Sequence, residues 1–310
     1  METVFVNCVA ENGGRMELKD LRHFLAVARE RTISGAADSL YLTQPTLSRQ
    51  MMELEEELGK KLFIRGNRGN RKITLTEEGV FLRKRAEEVL ALVARTEAEF
   101  LSRGEHITGE VTIGGGETDA VRVFARVMKK LNARHPQIRY RILSSNAEDA
   151  MEQLDNGLLD FGIFIDPADV SKYEFMRLRE RYAFGVLMRK DSPLAASGAI
   201  TPEQLAGLPL FCSKRELVER EFAAWMGDAY NRANILADYN LIHNVSLMVE
   251  EGLGYALCLE GAMHVTEDSP FRFRPLEPKM EAGVTVAWKK YQTFSRAAGA
   301  FLEMLRQETL

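Results

Sequence analysis

The sequence has little from which to build a disulfide framework, a metal centre or a membrane anchor. Its three cysteines, Cys8, Cys212 and Cys258, are odd in number and far apart. They form no CxxC pair, which fits a reducing, cytoplasmic location. The five histidines, His23, His106, His135, His243 and His264, are dispersed. No metal set, nucleophile motif or dinucleotide fingerprint emerges, so no catalytic residue, metal or cofactor is expected, and an enzyme is a rival class without a motif. No apolar run approaches the roughly 20 residues a bilayer requires. Glu2 stands where a signal peptide would be basic, and Val4-Phe5-Val6 is too short for its apolar core. No membrane partner is expected. The net charge of −4 excludes a globally basic nucleic-acid binder, so any such surface must be local.

What is present is 45% apolar and 28% charged over 310 residues, the composition of a globular chain of two or three domains. Residues 1–15 have no period and end in Gly13-Gly14, whereas a helical pattern starts at Met16. They read as an N-terminal extension, with Met16 as the expected natural start. Leu21, Phe24, Leu25 and Ala28 have helical spacing, and a second helix follows from Ile33 to Leu40 with small residues on one face. After a tight turn, Thr43 is a good N-cap and Pro45 is tolerated in the first turn of a third helix, Gln44 to Leu58, which Gly59 closes. Leu47, Met51, Leu54 and Leu58 form one inward stripe, leaving Pro45, Arg49 and Met52 outward and Thr46, Ser48 and Glu53 on the flanks. Small polar groups and an arginine at an exposed helix start suit a major-groove reader, although an ordinary solvated face has the same composition. Arg65, Arg68, Arg71 and Lys72 then crowd a Gly/Asn-rich loop ending in Ile73-Thr74-Leu75, a basic hairpin whose cations suit phosphates.

These residues carry a specific resemblance. Ala36-Ala37-x-x-Leu40, Gln44-Pro45-x-Leu47-Ser48-x-Gln50 and Leu54-Glu55-x-x-Leu58-Gly59-x-x-Leu62-Phe63-x-Arg65 are similar to the DNA-binding domain of LysR-type transcriptional regulators over Met16 to Gly79. The resemblance implies a helix-turn-helix at Ile33 to Met52. It places base and phosphate contacts at Ser34, Gln44, Pro45, Thr46, Ser48, Arg49 and Arg65, to which Thr43 and Arg68 are added as neighbours of that surface. Thr46 departs from the alanine common in the family.

Beyond the hairpin, Thr74 with Glu77 has capping-box spacing and Thr76 is an alternative cap. A long helix runs to about Ser102, with Leu82, Ala86, Val89, Val93, Thr96 and Phe100 as a heptad-like seam. The resemblance favours dimerisation there, with tetramers common in the family. After a polar hinge at Gly104 to Gly109, strands and helices alternate in an α/β pattern with a parallel sheet. The expected fold class is therefore α/β overall, an all-α winged helix-turn-helix followed by a linker helix and a two-subdomain α/β domain resembling the periplasmic-binding-protein-like effector domain of the same family. The boundaries expected are 16–74, 75–103 and 109–310, with subdomain I at 109–181 plus 282–310 and subdomain II at 182–281.

Ligands of such sheets sit beyond strand carboxyl ends near helix starts. That nominates Gly116, Thr118, Ser145, Asn146, Ser213 and Asn240 as effector contacts, although Ser145, Asn146, Ser213 and Asn240 could equally be helix caps. Glu117 and Asp119 disfavour a simple carboxylate ligand. Cys212 resembles in position the reactive cysteine of the peroxide-sensing branch, whose partner position is Glu221 here. The expected function is transcriptional regulation with double-stranded DNA, a small-molecule effector and a second copy as partners. A redox-responsive regulator using Cys212 is the alternative, and an architectural DNA-binding protein without an effector is a further rival.

Overall fold

The fold follows from two separate apolar patterns, one helical near the N-terminus and one alternating in the rest of the chain. The computed structural model describes residues 16–65, 72–101 and 107–309. The expected extension at residues 1–15 and Arg68 lie outside the described residues. Contacts divide the chain into two units, residues 1–98 and 99–310.

In the first unit, α1 (Leu18–Glu30), α2 (Ile33–Ser39) and α3 (Gln44–Glu57) are followed by β1 (Phe63–Arg65), β2 (Ile73–Leu75) and the start of α4 (Glu77–Leu101). Leu21, Phe24 and Val27 of α1 bury against Ala36, Ala37, Leu47, Met51 and Leu54. The two alanines carry so little bulk that neighbouring helices approach closely. Phe24 and Phe63 meet at 5.3 Å between ring centroids and join the helices to the hairpin. Strands β1 and β2 pair antiparallel, with Arg65 opposite Ile73. Leu58 departs from the expected inward stripe. It caps α3 and is 38% exposed, because the helix has ended and the chain turns at Gly59 with φ +61°.

Thr76, not Thr74, caps α4. Its Oγ1 accepts from the Gly79 amide at 3.0 Å and donates to the Lys61 carbonyl at 2.7 Å. Thr74 sits in β2, paired with Ile64, and its position in the ladder removes it from the helix start. Gly79 is required here, since a Cβ would lie 2.2 Å from the Leu62 carbonyl oxygen. The expected seam also divides. Leu82 and Ala86 are buried in the core of this unit, with Leu90 packed beside them, while Val89 and Phe100 are exposed. A four-residue apolar spacing cannot tell which partner a helix face will meet.

The second unit alternates β3 (Gly109–Gly115), α5 (Val121–Arg134), β4 (Ile138–Ser144), α6 (Ala147–Asp155) and β5 (Phe161–Ile165), then enters β6 (Tyr173–Arg189). Next come α7 (Pro202–Leu205), β7 (Pro209–Ser213), α8 (Glu216–Met226), β8 (Asn234–Tyr239), α9 (Ile242–Glu250), β9 (Tyr255–Leu259), β10 (Phe271–Pro275), β11 (Glu281–Lys289) and α10 (Arg296–Thr309). The strand order is β4-β3-β5-β11-β6-β9-β7-β8, with β10 on β6. The β3–β4, β3–β5, β7–β8 and β7–β9 pairs are parallel, but β11 and β6 run antiparallel to their neighbours. The sheet is therefore mixed rather than parallel throughout. Its 17-residue strand β6 belongs to both lobes, pairing with β11 through Tyr173–Ala183 and with β9 and β10 from Phe184 onward. Lobe I is held by Phe161 packed on Phe294 and Phe301, each at 5.3 Å. Lobe II has its own core around Val186, Ile200, Leu205 and Leu210.

Candidate functional site

Two surfaces collect the candidate residues, one in each unit. In the first, Thr43 Oγ1 accepts from the Thr46 amide at 3.4 Å and lies 2.8 Å from Thr46 Oγ1. The cap thus fixes where α3 begins and also engages the hydroxyl by which this chain departs from the family's alanine. Gln44, Pro45, Thr46 and Arg49 are exposed and Ser48 is half-buried, so the start of α3 offers a polar face. Ser34 lies exposed in the first turn of α2, which Thr32 caps through the Gly35 amide at 3.1 Å. Arg49 is 78% exposed and its Nε donates to Glu53 Oε1 at 2.7 Å. An exposed i,i+4 pair is worth only about 0.3–0.5 kcal/mol, so the guanidinium can leave it at small cost. Arg65 closes β1; its side chain lies outside the described residues.

Beneath this face is a group that the spacing of the sequence did not single out for its role. Glu55, only 4% exposed, accepts from the Leu62 amide at 2.8 Å and the Phe63 amide at 3.2 Å, while Lys61 Nζ sits 3.1 Å from its second oxygen. A buried carboxylate is costly unless paired and hydrogen-bonded, and here it is both. It joins the reading helix to the hairpin. Lys61 is therefore paired with this buried carboxylate although its own side chain is exposed, and Lys60 lies 3.7 Å from Glu78.

In the second unit a cavity of about 900 Å³ opens between the lobes, within the range of small-molecule sites. Strand ends and helix starts form it, as expected of such a sheet. Gly116 follows β3, Ser145 and Asn146 lead into α6, Ser213 ends β7 and Asn240 precedes α9, and all five line it. Thr118 does not. It is 7% exposed and turned inward, accepting from the Ala120 amide at 3.4 Å, because the loop folds into the start of α5. Local backbone bonds also occupy part of the others, and for Asn146 that bond is the cap of α6. Asn146 Oδ1 accepts from the Asp149 amide at 2.8 Å, Asn240 Oδ1 from Leu241 at 2.9 Å and Ser213 Oγ from Arg215 at 3.3 Å. Ser145 differs, since its Oγ is shielded from solvent and has no hydrogen-bond partner. Close approach of β3 to β5 at this end depends on Gly115, φ +149°, where a Cβ would lie 2.3 Å from the Ile163 carbonyl oxygen.

Arg215, two positions beyond the nominated Ser213, is the cavity residue that the sequence did not single out. It stands at the start of α8 in lobe II and donates through Nη1 to the Ile165 carbonyl at 3.0 Å and through Nη2 to that of Pro167, both in lobe I. Burial lowers its pKa, opposed by the charges of Glu148, Asp166 and Glu221. It bridges the lobes directly.

Cys212 also lines the cavity, and burial, helped by Glu219, pushes its thiol up to about 12; burial does the same for Cys258. Both are free thiols. The thiolate is the species that reacts, and at neutral pH so high a pKa leaves roughly one in 10⁵ ionised. Peroxide treatment of the native protein is expected to leave both residues unlabelled as sulfenic acid or disulfide by mass spectrometry. Rapid oxidation of Cys212 would contradict the burial argument. Among the described residues no group of three or more His, Cys, Asp or Glu is placed to hold a metal, and no helix is long and apolar enough to cross a membrane.

Comparison with known proteins finds a family match in each unit. Residues 18–80 match the model of the bacterial regulatory helix-turn-helix protein, lysR family, and residues 104–310 match the LysR substrate binding domain. The HTH-type transcriptional regulator IlvY of Escherichia coli is 29% identical over 82% of this chain and 84% of its own. The Hca operon transcriptional activator HcaR of the same species is 29% identical over 89% of this chain and 92% of its own. In fold, the crystal structure of CbnR, a LysR family transcriptional regulator, covers 95% of this chain and 100% of its own with a TM-score of 0.74 at 16% identity. With a reading helix in one unit and a two-lobed cavity in the other, the chain belongs to the LysR-type transcriptional regulators, which bind DNA through a helix-turn-helix and carry an effector-binding domain.

Proposed function

We propose that this regulator reads its operator with Gln44, Pro45, Thr46, Ser48 and Arg49, oriented by the Thr43 cap, and anchors on phosphates with Ser34, Arg65 and Arg68. The observation that carries this reading is the exposed, capped start of α3, whose Arg49 is held only by a weak surface pair. Arginine is the commonest bidentate partner of guanine, and small hydroxyl and amide groups complete a groove-reading set. Domain boundaries at 16–74, 75–103 and 109–310 fit this division of labour, with the lobes at 109–181 plus 282–310 and at 182–281. The exposed Phe81, Val89, Leu92 and Phe100 of α4 offer an apolar face for a second copy. A dimer so formed presents two reading helices to two half-sites, and a tetramer presents more. A cytoplasmic regulator without catalytic activity fits this assembly.

The effector occupies the inter-lobe cavity against Gly116, Ser145, Asn146, Ser213 and Asn240. Thr118 shapes the adjoining turn rather than touching it. An effector that binds one lobe arrangement better than another shifts the population toward it, and α4 carries that bias to the DNA-binding unit. Selection from random duplexes is expected to recover a dyad with half-site centres about 10 bp or a multiple apart. Enrichment of no sequence would overturn the reading and favour an architectural protein.

A further inference from the structure

The cavity is lopsided in charge. Five carboxylates line it, Glu117, Glu148, Glu216, Glu219 and Asp238, against two cations, Lys214 and Arg215. Arg215 spends two of its N–H groups on the Ile165 and Pro167 carbonyls, and its charge is already met in part by Glu148 and Asp166. Glu216 pairs with Arg220, and Glu219 accepts from the Tyr230 hydroxyl at 3.3 Å. Glu117, Glu148 and Asp238 have no ion-pair partner among the described residues. Glu148 comes from lobe I and Asp238 from lobe II, so both walls contribute negative charge. Between them the surface is apolar, with Ile165, Phe184, Phe222 and Leu257 in the lining. The shielded Ser145 Oγ, which has no partner, adds an acceptor inside.

A cleft of one sign with low-dielectric walls concentrates the opposite charge and repels its own. Aromatic faces such as Phe222 and Tyr230 add to the attraction of an ammonium group. Building on the reading of this cleft as the effector site, we propose that the effector is a cation, a primary or secondary ammonium group on an apolar body. The carboxylates hold the ammonium, the apolar wall covers the body, and Ser145 Oγ accepts from an N–H. Because these carboxylates are solvent-accessible, the attraction weakens as salt rises.

The test uses the full-length protein and probes that share a body but differ in charge, phenethylamine and hexylamine against phenylacetate and hexanoate, with phenylalanine as the zwitterion. Thermal shift and titration calorimetry are expected to show stabilisation by the amines and none by the carboxylates. The double variant Glu148→Gln with Asp238→Asn should weaken amine binding about tenfold or more. Gly116→Leu controls for location, since a Cβ at Gly116 meets only Ile165 at 3.5 Å and the longer side chain then fills the cavity mouth. Loss of amine binding in Gly116→Leu supports the proposal. Carboxylate or phenylalanine binding in preference to amine, or no amine stabilisation, overturns the ligand class. If the carboxylate or phenylalanine binding is itself lost in Gly116→Leu, the cleft stands as the effector site. Binding by any probe that Gly116→Leu leaves unchanged overturns the cleft itself.

Discussion

Replacing Arg49 with alanine is expected to abolish preference for the operator while leaving the fold and the cavity intact. A bidentate arginine–guanine contact discriminates by about 1–3 kcal/mol. Two half-sites in a dimer double that, so operator affinity falls roughly 30-fold to more than ten-thousand-fold. Breaking the Glu53 pair subtracts only about 0.5 kcal/mol from the wild-type advantage. Arg49 is 78% exposed and contributes nothing to the core, so the melting temperature should barely move. Arg49→Lys separates charge from geometry. It retains the cation but loses the planar fork, so it should keep non-specific binding and its salt dependence while losing discrimination. Footprinting and competition titrations read both quantities. A variant whose footprint is unchanged would remove Arg49 from the reading face.

The second large effect is structural. Glu55→Ala is expected to destabilise the N-terminal unit by about 2–6 kcal/mol, a large share of its stability. It removes the acceptor shared by the Leu62 and Phe63 amides, residues only 1% and 6% exposed. Each buried donor left without a partner costs about 1–3 kcal/mol, against a total stability of about 5–15 kcal/mol for a domain. Glu55→Gln keeps an oxygen for both amides and loses only the contact with Lys61, so it should be much milder. The acid dependence has a defined sign. Burial pushes the carboxyl up, but the Leu62 amide, Lys61 and the Phe63 amide outweigh it, so Glu55 lies below its usual 4.5 when folded. A depressed folded pKa contributes stability that is full above the unfolded value and is lost as pH falls through the folded one. Protection factors of the Leu62 and Phe63 amides against hydrogen exchange, corrected for the intrinsic rate at each pH, should therefore be full above about pH 4.5 and fall below it. In Glu55→Gln that step should disappear. Equal acid sensitivity in both proteins would assign it to another carboxylate.

The reading helix was legible because every signal for it is local. Thr43, Pro45 and Gly59 set the ends of α3, and Leu47, Met51 and Leu54 set its buried face. Glu55 was not legible in its role, because a glutamate among glutamates looks like solvated surface until β1 folds back over it. The same limit applies to α4, where Leu82 and Ala86 have the spacing of a shared seam yet belong to their own core. In the second unit the alternation of strands and helices was legible, but the first half of β6 was not. Arg177, Arg179, Glu180 and Arg181 make Tyr173–Arg181 read as a charged linker, although its backbone pairs with β11. Strand β10 was missed for a related reason. Arg272 and Arg274 look like surface charge but fold back onto carbonyls around Thr266 and Ser197. The cavity was half legible. Its residues between strand ends and helix starts announce themselves by sequence position, whereas the bridge from Arg215 to lobe I joins positions about fifty residues apart.

The strand β6 has one more consequence. Because one strand carries the pairing from β11 on to β9 and β10, interrupted only by a bulge opposite Val284, the lobes do not swing on slack connections. A change in their mutual angle has to be taken up as extra twist along β6 and β11, spread over many peptide units that are already twisted in the same sense. The register shift between Gly283 and Thr285 is where that twist is most easily absorbed. The waist of this unit therefore behaves as a torsion bar. A ligand that turned one lobe against the other would have to twist this shared sheet rather than swing a slack connection.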